Sequence, residues 1–265
     1  MSAWDTCRVC PRLCRDGCPV ATGSAREAAV PTWIATCLHG WEAGSVSAED
    51  AAQSATLCTD CGACQDHCHL HRPLPELLRD ARRRLLPAPP IAPLAPVVGS
   101  ARVVAVCADD RDLVGVLEAR LGQPVARLRT EDALGVAAVE HPVFDARAAE
   151  LRDRLAGRVV VVVDGGVARA LVAARVAFRW AWDLVGDGTA DAVGSCATGG
   201  ERPLACCGAA GPLRHHHPED AARVARLFAE RGEADRVVDA CCRDYLRSAG
   251  LTVADWLDEA LEALA

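Results

Sequence analysis

Residues Cys7–Pro19 read CRVCPRLCRDGCP, a C-x3-C-x3-C core preceded by C-x2-C and closed by a proline. A second run, Cys58–Cys68, reads CTDCGACQDHC and follows C-x2-C-x2-C-x3-C. Thiolates are soft ligands, and clusters of them at short spacing hold metal. A structural zinc loop gives two cysteines, four to an ion in all. Here each run carries four. Three closely spaced thiols cap one face of a cubane 4Fe–4S cluster, while the fourth of each run reaches the cluster of the other. The spacing therefore predicts one cluster on Cys7, Cys10, Cys14 and Cys68, and another on Cys58, Cys61, Cys64 and Cys18. Zinc, or a single cluster, is the competing reading. Pro19 follows Cys18, whereas His69 follows Cys68, which changes the surroundings of that sulfur but removes no ligand.

The remaining composition limits what such a chain does. Of its 265 residues 51% are hydrophobic and 4% aromatic, so the expected core is built from Ala, Val and Leu. A net charge of −7 argues against nucleic acid as a partner, because phosphate binding needs a basic stripe. The 15 cysteines are an odd count, and Cys7 and Cys10 stand where the apolar run of a secretory leader would lie. Clustered thiols without a leader point to a reducing, cytoplasmic setting. No segment reads as a transmembrane helix. The longest uncharged stretch, Leu85–Ala101, holds five prolines and reads as a semi-rigid linker.

That linker, residues 87–100, predicts a division into a helical, ferredoxin-like domain at 1–86 and an α/β domain at 101–265, an α+β chain overall. The two parts are expected to fold independently. In the first, Ser47 is the expected N-cap of a helix with Glu49 and Asp50 in its first turn. Pro75 opens another, with Leu74, Leu77, Leu78, Ala81 and Leu85 on one face. Cys37 reads as a small buried hydrophobe. His67, His69 and His71 read as solvated, since eight cysteines already complete two clusters.

Beyond the linker, ARVVAVC ending at Cys107 and RVVVVV at 158–163 read as strands, with helices in DLVGVLEARLG and DARAAELRDRLAG. An offset of about seventy-five residues relates Ala133–Gly135 to Cys206–Gly208, and the helix and strand after one to those after the other. Two copies of one module are expected, at about 101–170 and 171–265. The second keeps Cys206, Cys207, Cys241 and Cys242; the first keeps only Cys107. In RHHHPED, His215–His217 end a loop and Pro218 starts a helix whose N-terminus Glu219 and Asp220 favour. The DGG after the valine strand is no phosphate loop, because no GxGxxG or Walker pattern surrounds it.

The segment PLACCGAAGPLRHHHPEDAARVARLF…DRVVDACC resembles the cysteine-rich CCG domain of heterodisulfide reductase and of the iron–sulfur subunits of glycolate, lactate and anaerobic glycerol-3-phosphate dehydrogenases. The order of the parts, two cluster motifs and then two CCG modules, is also theirs. The resemblance implies a third site on Cys206, Cys207 and Cys241, completed by Cys196 or Cys242, that holds a non-cubane 4Fe–4S cluster or zinc. The adjacent Cys241–Cys242 departs from the C-x-x-C of that family, and no early cysteine matches. The resemblance implies an iron–sulfur electron carrier working between a flavoprotein dehydrogenase, or another redox subunit, and a downstream acceptor, either the back site or a quinone-linked, membrane-associated partner. The alternatives are the catalytic subunit of a heterodisulfide-type reductase and a non-enzymatic zinc, thiol or redox-sensing module. No flavin or nicotinamide motif is present.

Overall fold

The structure is a computed structural model describing residues 2–10, 14–107, 113–129, 139, 141–185, 211–231, 236–237 and 240–255. It is a mixed helix-and-sheet chain in two compact units. The first gathers Met1–Pro87, Gly199–Asp235 and Asp244–Thr252; the second gathers Ala88–Thr198, Arg236–Arg243 and Val253–Ala265. The units meet in sequence at Pro87, where the proline-rich stretch begins. The expected second module, by contrast, is divided between them.

The first unit is helical throughout its described part. Prolines open four of its helices, Pro19–Ser24, Pro31–Glu42, Leu74–Leu85 and Pro218–Glu230, where their missing N–H has no intrahelical partner to lose. Ser47 caps Ala48–Ala55 as expected, its side chain accepting from the Asp50 N–H at 3.1 Å. The core joins Val20, Ile34, Leu38, Leu57 and Leu78 from the N-terminal part to Leu213, Ala221 and Val224 from the C-terminal part. Pro218–Glu230 packs along Pro19–Ser24, and the approach is close. A β-carbon placed on Gly23 would stand 2.9 Å from the Val224 Cα. Asp220, expected only to favour a helix N-terminus, is buried and paired with Arg26, with Arg223 at 3.6 Å. Burial draws the His217 imidazole below its ordinary pKa, and its Nε2 lies 3.0 Å from the Thr56 hydroxyl. His215 and His216 lie in a one-turn helix, Leu213–His216, rather than in a loop.

The second unit holds a parallel sheet of order β2-β1-β3-β4: β1 Val103–Cys107, β2 Val125–Arg129, β3 Val159–Val162 and β4 Arg179–Trp180. Both faces are covered, which is why the central strands are unbroken apolar runs rather than alternating ones. Val104, Val106, Val160 and Val162 pack with residues of Phe144–Leu155 and Gly165–Ala173. Val103, Ala105, Cys107 and Val161 pack with residues of Leu113–Leu121. Asp164 caps the helix that follows β3, accepting from the Val167 N–H at 2.9 Å, so DGG begins a helix directly. Sequence patterning missed β2, an outer strand whose arginines dilute the apolar signal.

The proline-rich stretch is packed on this unit rather than held free as a spacer. Leu94 is buried in the core, and the Arg147 and Arg154 guanidiniums donate to the Ala92 and Ala95 carbonyls at 2.6 and 3.1 Å. Val98 bridges Arg127. The helix corresponding to Phe144–Leu155 in the expected repeat is Pro218–Glu230, which belongs to the first unit. β5 Arg236–Val237 and β6 Ala254–Asp255 pair in parallel over two residues each.

Candidate functional site

Short helices and tight turns carry the eight cysteines of the two runs. Cys7 lies in the single turn Asp5–Arg8, Cys14 in Cys14–Gly17, and Cys18 caps Pro19–Ser24. In the second run, Asp60 and Gly62 take left-handed conformations with φ of 56° and 82°. Those two reversals bend the loop so that Cys58, Cys61 and Cys64 line one cavity. Asp60 is held by a buried ion pair with Arg82 at 2.6 Å, and Arg82 also donates to the Ala55 carbonyl at 3.2 Å. Gly17 fits the runs together: a β-carbon there would overlap the His67 ring.

Two cavities lie between the runs. Counting the part open to solvent, they hold about 350 and 360 Å³. The first is lined by Cys7, Cys10 and Cys14 of one run together with Cys68 and Cys64 of the other. The second is lined by Cys58, Cys61 and Cys64 together with Cys18. Cys64 and Leu74 line both, so a thin wall separates the two spaces. No group of three or more Cys, His, Asp or Glu among the described residues is so placed as to hold a single ion.

The surroundings of the cavities differ. The first is lined by Thr6, Thr32 and Arg72 beside Leu70 and Leu74. The Arg72 main-chain N–H donates to the Cys68 Sγ at 3.4 Å, and its guanidinium donates to the Ala3 carbonyl. The second is lined by Val20, Ala29, Ile34, Leu57, Thr59, Leu74 and Leu78, and no charged side chain lines it among the described residues. There the Ala21 and Asp60 N–H groups donate to the Cys18 and Cys58 sulfurs at 3.5 and 3.3 Å.

Burial disfavours the charged thiolate, and it pushes Cys14 and Cys18 each from 9.0 up to about 11. Cys58 and Cys64 are pushed well up by the same desolvation, reinforced by Asp60 beside Cys58 and by neighbouring cysteines around Cys64. Burial also raises Cys7, against the opposing charge of Arg72. The electrostatic neighbours follow the cavities. Cys7 feels Cys10 and Cys68, Cys18 feels Cys61, and Cys14 feels Cys18 across the wall.

Other candidates fall elsewhere. Cys37 is half-buried rather than buried, its sulfur 3.9 Å from the Asp50 carbonyl, and it lines neither cavity. His67, His69 and His71 are exposed. Cys107 is fully buried in the core of the sheet. Of the thiols implied by resemblance, Cys196, Cys206 and Cys207 lie outside the described residues. Cys241 and Cys242 fall in the first turn of the helix Ala240–Ser248, where Cys242 is half-buried. Sequence reasoning did not find Arg72, Asp60 or Arg82, since their part depends on contacts that spacing does not encode. Comparison with known protein families, curated proteins and solved structures finds no match.

Proposed function

We propose that this chain is an iron–sulfur electron carrier, a redox subunit rather than an enzyme by itself. Cys7, Cys10, Cys14 and Cys68 would hold one cubane 4Fe–4S cluster, and Cys58, Cys61, Cys64 and Cys18 the other. One observation carries this reading: the fourth thiol of each run lines the cavity of the other. Ligand exchange between runs is the pattern of two-cluster ferredoxins, and two separate zinc loops do not need it. When bound, such clusters accept and return single electrons. The chain's own residues supply the rest. Main-chain N–H groups at Cys18, Cys58 and Cys68 stabilise thiolate charge, apolar side chains keep water from the second site, and the wall at Cys64 keeps the two sites adjacent.

The donor would be a flavoprotein dehydrogenase or a similar redox subunit, because the chain carries no flavin or nicotinamide motif. The acceptor would be a further redox partner, in a reducing cytoplasmic setting. No helix among the described residues is long and apolar enough to cross a membrane. On this reading the helical unit is ferredoxin-like, and the α/β part is of the CCG type with one degenerate module. Cys206, Cys207 and Cys241, with Cys196 or Cys242, are the candidate ligands of a third cluster or of zinc.

Anaerobic purification followed by iron, sulfide and zinc analysis tests the reading. About eight irons per chain are expected, and nearer twelve would add the third cluster. In electron paramagnetic resonance of the reduced protein, Cys68→Ser should alter the signal that Cys10→Ser alters and spare the one assigned by Cys61→Ser. If Cys68→Ser matches Cys61→Ser instead, each run holds its own metal and the exchange is wrong. Zinc without iron sinks the carrier reading altogether.

A further inference from the structure

We propose that Gly211 and His217 are positioning residues for the second site: they seat the segment 211–230 on the two stretches of chain that bring Cys58, Cys61 and Cys18 to it, so that filling this site and docking that segment are coupled. The inference rests on the two-cluster reading and goes beyond it, since the spacing of the cysteines gives no part to residues so far along the chain.

Thr59 stands between Cys58 and Cys61, is buried, and lines the second cavity. Gly211 lies directly on its main chain. With φ of 68° there, an added β-carbon would stand 2.7 Å from the Thr59 carbonyl carbon and 2.9 Å from its Cα. Glycine suits that approach because it has no β-carbon and takes left-handed backbone freely. Nearby, just before Cys58, the buried Thr56 hydroxyl donates to the Gln53 carbonyl at 2.8 Å. Its hydrogen is thus committed, so its oxygen accepts from His217, whose Nε2 lies 3.0 Å away and carries the proton. The helix that follows His217, Pro218–Glu230, packs along Pro19–Ser24, the helix capped by Cys18. Arg223 donates to the Ser24 carbonyl at 3.3 Å, and Asp220 pairs with Arg26. One segment therefore grips both stretches that supply the second site.

The first site is fastened from within the N-terminal part. Asp5–Arg8, which carries Cys7, packs against Pro31–Glu42, where the Arg8 guanidinium lies 2.8 Å from the His39 Nε2. The Arg72 guanidinium holds the Ala3 carbonyl. Cys64, the thiol common to both cavities, is separated from Thr59 by the reversals at Asp60 and Gly62. A shift at Thr59 falls first on Cys58 and Cys61, which line only the second of the two cavities. A cluster binds ligands that are already in place, so whatever holds that loop closed raises retention there. By linkage the filled site holds the segment down by the same factor.

The test uses the full chain loaded anaerobically with ferrous iron and sulfide. Its electron paramagnetic resonance signals after dithionite reduction are assigned through Cys10→Ser and Cys61→Ser, and the loss of each signal to an iron chelator is timed. Gly211→Ala should speed loss from the second site about tenfold and leave the first nearly unmoved. Gly250→Ala, at a left-handed position with φ of 82° and nothing within 4 Å, should leave both rates as they are. His217→Ala should speed loss from the second site about threefold, and His217→Gln, which returns an N–H near the place of Nε2, should recover most of that. The two His217 variants decide the matter if Gly211→Ala does not fold. Conversely, loading should slow amide hydrogen exchange across Pro218–Glu230 in the wild type and in Cys10→Ser, and far less in Cys61→Ser. Equal acceleration at both sites, acceleration at the first alone, no change in either set of variants, or the same slowing of exchange in Cys61→Ser would each overturn the proposal while leaving the carrier reading intact. A wild-type chain that takes up no iron overturns both.

Discussion

Asp60 occupies a backbone conformation that asparagine and aspartate tolerate better than most residues, and its carboxylate meets Arg82 where both side chains are almost fully buried, at 2% and 3% exposure. Asp60→Ala should therefore cost ~3–5 kcal/mol, chiefly by stranding the arginine. Asp60→Asn combined with Arg82→Met should recover most of that, because no buried charge is then left alone. Urea denaturation of the metal-free protein measures both; equal losses in the single and double variants would show that the pair is not what holds the loop. The thiols make a second prediction. Cys14 and Cys18 are raised to about 11 in the folded chain, while in the unfolded chain they ionise near the ordinary 9.0. Their contribution to the stability of the metal-free protein is then full below pH 9 and is lost as pH rises toward 11. Iron loading should run the other way and gain with pH, because each ligand must shed a proton. A denaturation midpoint that holds steady from pH 8.5 to 10.5 would contradict the burial of these thiols. The grouping of the cysteines around two cavities follows from their spacing, which is a local property of the sequence. The part of Arg72 does not, since in the sequence it is one arginine among many.

At the scale of elements, what sequence reveals is a buried face and not the partner it is buried against. The pattern Ala221, Val224, Ala225, Phe228 marks a helix with one apolar side, and Pro218–Glu230 is that helix. Its neighbour, Pro19–Ser24, lies on the far side of the whole α/β sequence, and no periodicity links the two. The expected repeat instead paired it with a sheet. Similarly, the valine strands were legible from composition, whereas β2 was hidden by its arginines. Gly23 tests the helix pairing. An alanine there meets a backbone atom of Val224, which cannot swing aside, so Gly23→Ala should destabilise by ~1–3 kcal/mol. Gly44→Ala, with φ of 77° and nothing within 4 Å, should lose only ~1 kcal/mol to its left-handed backbone. Melting temperatures of the two variants compare them directly, and equal losses would mean that the contact at Gly23 is slack.

For the whole molecule, the proline-rich stretch suggested a place to cut the chain into independent halves, and the first unit argues against that cut. A chain ending at Leu86 lacks Leu213, Ala221 and Val224, all fully buried in its core. It should aggregate or retain far less iron than the full chain. In the full chain Leu213→Ala should cost ~2–5 kcal/mol and weaken iron retention as well. A soluble 1–86 fragment with undiminished iron would show that the C-terminal helix is only a cover. The pairing of Arg26 with Asp220 spans 194 residues. At synthesis rates of ~5–20 residues per second, a ribosome that has made the first needs ~10–40 s to make the second. For the part of that interval after Cys68 is made, all eight thiols stand on a nascent chain whose core lacks Pro218–Glu230. Slowing elongation between residues 26 and 220 should therefore lengthen the time the thiols spend without that helix over them.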